Sequence, residues 1–112
     1  MSAEVLPWTA ITRRVMLAPM IVSCRDRDTE TIWAGRRARR LPSDVQDVAL
    51  RKLRLINSAR RIDDLKVPPG NRLEALKGSR AGQHSIRIND QWRICFVWRD
   101  GHAHDAEIVD YH

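Results

Sequence analysis

The chain has 112 residues, 43% apolar and 30% charged, and its 20 Lys and Arg outweigh 14 Asp and Glu to leave a net charge of +6. That length suits one folded domain with a modest core, and so basic a domain points to a polyanionic partner, nucleic acid first, or else to a charged surface that binds no anion. No apolar run approaches the ~20 residues that cross a bilayer, and Cys24 and Cys95 have neither zinc-site spacing nor a disulfide framework, so a cytoplasmic protein without a membrane partner is expected.

Val15 to Cys24 follows Arg13-Arg14 and faintly has the shape of a signal peptide. Pro19 interrupts it, no small-residue cleavage site follows, and Arg25, Asp26, Arg27 and Asp28 come directly after, so that reading is rejected. Met20 is itself a candidate start. Residues 1–19 are then an extension, poorly ordered or a misassigned start, and 20–112 form the domain.

Met20 to Cys24 is β-prone and reads as a first strand. Asp26 and Asp28 offer N-caps for a helix from about Asp28 to Arg39, with Ile32 and Trp33 inward. Gly35 should weaken it by about 1 kcal/mol, and Arg36, Arg37, Arg39 and Arg40 should suit the negative end of its dipole. Leu41-Pro42-Ser43 breaks the chain, with Ser43 as the next N-cap. Val45, Val48, Ala49, Lys52, Leu53 and Ile56 recur at helical spacing to about Ser58, leaving Arg51 and Arg54 on the other side. The two helices are expected to form an antiparallel hairpin.

Arg60 to Gly70 contains Val67-Pro68-Pro69-Gly70 and reads as a loop. Strands are expected at Arg72–Leu76, Ser85–Ile88, Gln91–Trp98 and about Ala103–Tyr111. Asn89-Asp90 suits a tight hairpin because both residues tolerate positive φ, and Asp100-Gly101 suits a second. Helices followed by hairpins predict an α+β fold, with two N-terminal helices packed on a small twisted antiparallel sheet.

Alternation puts Trp92, Ile94, Phe96 and Trp98 on one face of a central strand, and Gln91, Arg93, Cys95 and Val97 on the other. Cys95 reads as a small buried residue. An arginine so near the sheet core is costly unless it meets an anion. Either Arg93 pairs internally with Asp90, Glu107 or Asp110, or it waits for a phosphate. Lys77-Gly78-Ser79-Arg80 is either a solvated basic turn or a turn that brings cations and main-chain N–H groups to a phosphate; it lacks the spacing of a P-loop. Tyr111-His112 is either a frayed tail or a proton-handling end held by the last strand. His102 and His104 flank a turn without the spacing of a metal site.

Lys77, Arg80 and Arg93 as cations, with Tyr111 and His112 as proton-transfer groups, and with no metal cluster or activated Ser or Cys, fit metal-free, cofactor-free cleavage of RNA by its own 2′-OH. A module that binds nucleic acid without cutting it would use the same cations.

Three stretches carry a resemblance: Arg72-Leu73-Glu74-Ala75-Leu76-Lys77-Gly78-Ser79-Arg80, Ser85 through Phe96 around Asn89-Asp90-Gln91-Trp92-Arg93, and the ending Asp110-Tyr111-His112. Together they resemble HigB toxins of the RelE/ParE superfamily, over about Met20 to His112. The resemblance implies a RelE-like α+β ribonuclease that enters the ribosomal A site, cuts translated mRNA without a metal and arrests growth. It implies a HigA-type helix-turn-helix antitoxin, with operator DNA bound only through the toxin–antitoxin complex. Carried over by position, Lys77, Arg93, Asp110, Tyr111 and His112 are catalytic, and Arg80 is a basic position in the turn. Some members carry His where this chain has Glu74, so Glu74 acts as a base instead or that contribution is lost. His84 also stands where some members carry an aromatic residue. Arg87, Gln91, Arg51 and Arg54 join Arg80 as expected RNA contacts, the helical arginines touching phosphates with little sequence readout. The alternatives for that helical surface are a solvated face or one covered by the antitoxin. A toxin made inactive by Glu74 and kept as a co-repressor is the further alternative.

Overall fold

The computed structural model describes residues 20–111; the expectations for residues 1–19 and for His112 lie outside them. Two helices, α1 (Arg27–Trp33) and α2 (Ser43–Ser58), precede four strands, β1 (Glu74–Ala75), β2 (Gln83–Arg87), β3 (Trp92–Arg99) and β4 (His102–Asp110). The strands form one antiparallel sheet in the order β1-β2-β3-β4, so the α+β expectation holds and β3 is interior.

Helix α1 starts where expected. The Asp26 carboxylate accepts from Thr29 N at 3.3 Å, and Asp28 and Glu30 occupy the first turn. It ends at Trp33 rather than Arg39. Gly35 adopts φ +84, its N–H reaches Ile32 O, and the Arg36 N–H reaches Thr31 O. That bonding closes the helix in a Schellman motif, so Gly35 terminates the helix instead of weakening it. Arg36, Arg37, Arg39 and Arg40 consequently lie beyond the helix, and no basic residue occupies its last turn.

Helix α2 also differs at its start. Pro42 is the cap, without a side-chain bond, and Ser43 is already helical, its hydroxyl accepting from Arg37. Val45, Ala49, Leu53 and Ile56 are buried as their spacing predicts. So is Gln46. Its amide oxygen accepts from Ala38 N at 2.8 Å, and its amide nitrogen donates to Ala38 O and Leu41 O at 2.8 and 2.6 Å, pinning the connection between the helices.

Arg60 to Gly70 forms no α-helix or strand, as expected, but the stretch contains two short 3₁₀ turns, Ile62–Lys66 and Pro69–Asn71, the second running one residue past it. The Asp64 carboxylate accepts from Arg60 N and Arg61 N at the first. Asn71, fully buried, donates to Leu65 O and accepts from Lys52 Nζ.

Met20 to Cys24 makes no regular strand. It runs parallel to β4 through two isolated bridges, Ile21 to Ala103 and Cys24 to Ala106. Asp105, with φ 54, lies between these bridge positions, and the β3–β4 register shifts between Cys95 and Val97. This irregularity keeps the outer ladder from being continuous. The edge is nonetheless answered: Ala103 N donates to Met20 O, Ala106 N to Ser23 O and Ile108 N to Thr29 Oγ1.

The face assignment is borne out. Ile94 and Phe96 are fully buried on one face, with Ile86, Ala103, Ala106 and Ile108, against Ile32, Val45, Ala49, Leu53 and Ile56 of the helices; Trp92 and Trp98 pack partly on the same core. At roughly 25 cal/mol per Å² of apolar surface removed from water, this one-sided burial holds the layers together. The opposite face is free to carry polar groups.

Candidate functional site

Cross-strand register builds the open face residue by residue. Glu74 stands opposite Ser85, Ser85 opposite Cys95, Arg87 opposite Arg93, and Cys95 opposite Glu107. Two arginines directly opposed on a sheet repel, which makes this a place that wants negative charge. Arg87 answers with Asp90, an ion pair within its own hairpin.

Arg93 has only 11% of its side chain exposed. Its Nε donates to Ser85 Oγ at 2.8 Å, and its Nη2 donates to the carbonyl of Arg72 at 2.7 Å. Its carboxylate partner is Glu74, with Oε1 3.7 Å from Nη2. It is not Asp90, Glu107 or Asp110, which the sequence suggested. Asp90 serves Arg87, Asp110 accepts from Gln91 Nε2 at 3.1 Å, and Glu107 meets Arg80 at 3.2 Å and Arg25 at 3.9 Å. Glu74 reaches Arg93 because β1 sits beyond β2 on the same face. Since Glu74 is 58% exposed, the pair is a loose surface contact and not a buried lock.

The Arg93 guanidinium lies over the Tyr111 ring, 5.6 Å from its centroid. The Tyr111 N–H donates to Gln91 O at 2.6 Å, one residue past the end of β4, so Tyr111 is held by the sheet. Arg72, Arg87, Asn89, Asp90, Arg93 and Tyr111 line an open cleft of about 290 Å³.

The expected site residues are thus only partly gathered. Arg93, Tyr111 and Arg87 share the cleft, Glu74 touches Arg93, and Gln91 and Asp110 bond to each other. Arg80 lines a second cleft with Arg25, Ser79, Gln83 and Glu107, where its guanidinium is already bound to Gln83 and Glu107. Lys77 is exposed at the N-cap of a 3₁₀ turn, Gly78–Arg80, where Gly78 adopts φ +65. Arg51 and Arg54 are exposed on α2, in the layer behind the sheet. Cys95 is buried on the site face; burial pushes its thiol up, so it is a neutral floor and not a nucleophile.

Two contributors were missed from sequence. Ser85 could have been found from hairpin register, since it faces Cys95 next to Arg93. Arg72 gave no signal, because it leaves the expected strand altogether: its φ of 47 and ψ of 56 are left-handed, and β1 shrinks to two residues.

Two helices on one face of a four-stranded antiparallel sheet make an α+β fold consistent with the RelE-like toxins. A family model described as the RelE-like toxin HigB of type II toxin–antitoxin systems matches residues 26–112. Toxin HigB-1 of Vibrio cholerae is 44% identical over 85 residues, covering 75% of this chain and 90% of that protein. An uncharacterized protein of Haemophilus influenzae is 33% identical over 66 residues, covering 59% and 65%. The chain belongs to the HigB-like toxin family, and membership of a type II system implies an antitoxin partner. Among the described residues no helix is long and apolar enough to cross a membrane.

Proposed function

We propose that the chain is a ribosome-dependent endoribonuclease that cuts translated mRNA in the A site and so arrests growth. The observation that carries this reading is the seating of Arg93. A fork fixed by Ser85 and the Arg72 carbonyl, stacked over Tyr111 in an open cationic cleft, is preorganised for a phosphate that gains charge. The 2′-OH of the substrate attacks the adjacent phosphorus as a base takes its proton. The bond to the 5′ oxygen breaks, and an acid returns a proton to that oxygen, leaving a 2′,3′-cyclic phosphate and a 5′-OH end. No step draws on a metal or cofactor. Arg93 and Lys77 stabilise the phosphorane-like charge, and Glu74, Asp110, Tyr111 and His112 handle the protons.

Residues 20–112 act as the toxin domain, with 1–19 an extension; the family match covers residues 26–112. Its setting is the cytoplasm, where ribosomes translate. The antitoxin is of HigA type, carries a helix-turn-helix, and brings the complex to operator DNA. Arg80, Arg87, Gln91, Arg51 and Arg54 supply further RNA contacts.

The test is induction without antitoxin, with mRNA 5′ ends mapped. New ends inside translated codons, lost in Arg93→Ala and in His112→Ala, are expected. Growth arrest without such ends would reject the nuclease reading. The exposed Glu74 carboxylate beside Arg93 favours a second reading, an inactive toxin kept as co-repressor; normal operator repression without toxicity would support it.

A further inference from the structure

Arg72 has a backbone that an arginine should avoid. Its φ of 47 and ψ of 56 lie in the left-handed region, where a Cβ crowds the following carbonyl and glycine is the natural occupant. The conformation is held from both sides. Its N–H donates to Pro69 O at 3.1 Å, and its carbonyl takes the Arg93 Nη2 donor at 2.7 Å. The preceding Asn71 is locked by Leu65 O and Lys52. A glycine would allow the same backbone, so the backbone alone does not account for a long cationic side chain here.

That side chain is exposed and lines the cleft that contains Arg93, Arg87 and Tyr111. The other two arginines have carboxylates, Asp90 for Arg87 and Glu74 for Arg93. Among the described residues no carboxylate lies within 4.0 Å of the Arg72 guanidinium. Strained residues held in place by their surroundings concentrate where ligands are gripped.

We propose that Arg72 is a substrate-binding residue, gripping a backbone phosphate of the RNA next to the one that Arg93 holds. The carbonyl-to-guanidinium bond couples the two, so the Arg72 backbone orients Arg93 while its side chain takes the neighbouring phosphate. This deepens the nuclease reading and rests on it for the identity of the ligand.

The experiment compares wild type, Arg72→Gly and Arg72→Lys. Glycine removes the cation and fits the backbone; lysine keeps the charge. Cleavage of mRNA on translating ribosomes, thermal unfolding, and salt-dependent binding of a short single-stranded oligoribonucleotide are measured. Arg72→Gly should cleave at least tenfold more slowly, chiefly through a raised KM, while its Tm equals or exceeds that of wild type. Its slope of log affinity against log salt should fall by about one. Arg72→Lys should recover most of the salt slope. Wild-type cleavage and slope in Arg72→Gly would overturn the assignment. So would unchanged RNA binding with weakened binding of the antitoxin, which would make Arg72 a protein contact. If the wild type does not cut at all, the nuclease reading falls, and the oligoribonucleotide slope still decides whether Arg72 grips a phosphate.

Discussion

Ser85 has no exposed surface, and its hydroxyl receives the Nε–H of Arg93 at 2.8 Å. One small side chain, buried on the site face, therefore sets the angle of the guanidinium that the proposed chemistry depends on. Ser85→Ala leaves that donor without its partner, which should cost about 1–2 kcal/mol in urea unfolding. Misalignment of the fork should lower cleavage by about tenfold or more. A variant that loses stability but cuts mRNA at the wild-type rate would remove Ser85 from the alignment of Arg93.

Glu74 separates catalysis from restraint. Its carboxylate is largely exposed, so Glu74→Gln should change stability by no more than about 1 kcal/mol. If the carboxylate is the base, cleavage falls at least about tenfold, and Glu74→His restores part of it. A rate that stays level or rises in Glu74→Gln would leave Glu74 only the task of restraining Arg93.

Gln46 should behave in the opposite way. Its three hydrogen bonds to Ala38 and Leu41 hold the segment after α1 and are far from the cleft in the chain's layering. Gln46→Ala should cost about 2–4 kcal/mol by leaving buried main-chain groups unpaired. Folded material should keep its cleavage rate, and a loss of rate out of proportion to folded fraction would contradict this separation.

Asp64 carries a pH signature. Main-chain donation from Arg60 and Arg61 holds its carboxyl below the ordinary 3.8. A depressed carboxylate stabilises the fold fully above 3.8, and that stabilisation is lost as pH falls from there through the folded value. Asp64→Asn should therefore lose less stability than wild type over that acid window, measured by urea unfolding at a series of pH values. Parallel curves for the two would exclude a contribution from Asp64.

Cys24 should be chemically quiet. Burial, then Glu30 and Asp26, raises its thiol to about 11. Alkylation of the native protein at neutral pH should be much slower than that of the unfolded chain; equal rates would mean that the segment from Met20 to Arg25 opens readily from β4.

Much of the fold follows from periodicity. The alternation from Trp92 to Trp98 assigns the core face correctly because each of those side chains meets either the helical layer or the open site. Asp100 and Gly101 turn with positive φ, as their types suggest. Asn89 turns the other hairpin differently: its side-chain oxygen accepts from Gln91 N and Trp92 N, and neither it nor Asp90 has positive φ. Local spacing gives less for partners. Arg93 lies in β3 and its carboxylate in β1, two strands away in the sheet, so no reading of neighbours along the chain reaches Glu74. Gly35 was visible as a weak point; the bonds that make it a stop require the arginine segment beyond to turn back, which Gln46 enforces.

The segment from Met20 to Arg25 has a consequence for assembly. Proteins often recognise one another by adding a strand to an open sheet edge. Here one rim, β1, is only two residues long, and along the other the donors of Ala103, Ala106 and Ile108 are taken by Met20, Ser23 and Thr29. A strand added beside β4 would first have to displace Met20 to Arg25, whose main chain both gives to and takes from Ala103 and Ala106. The fold thus seals its long edge with the residues that precede its first helix.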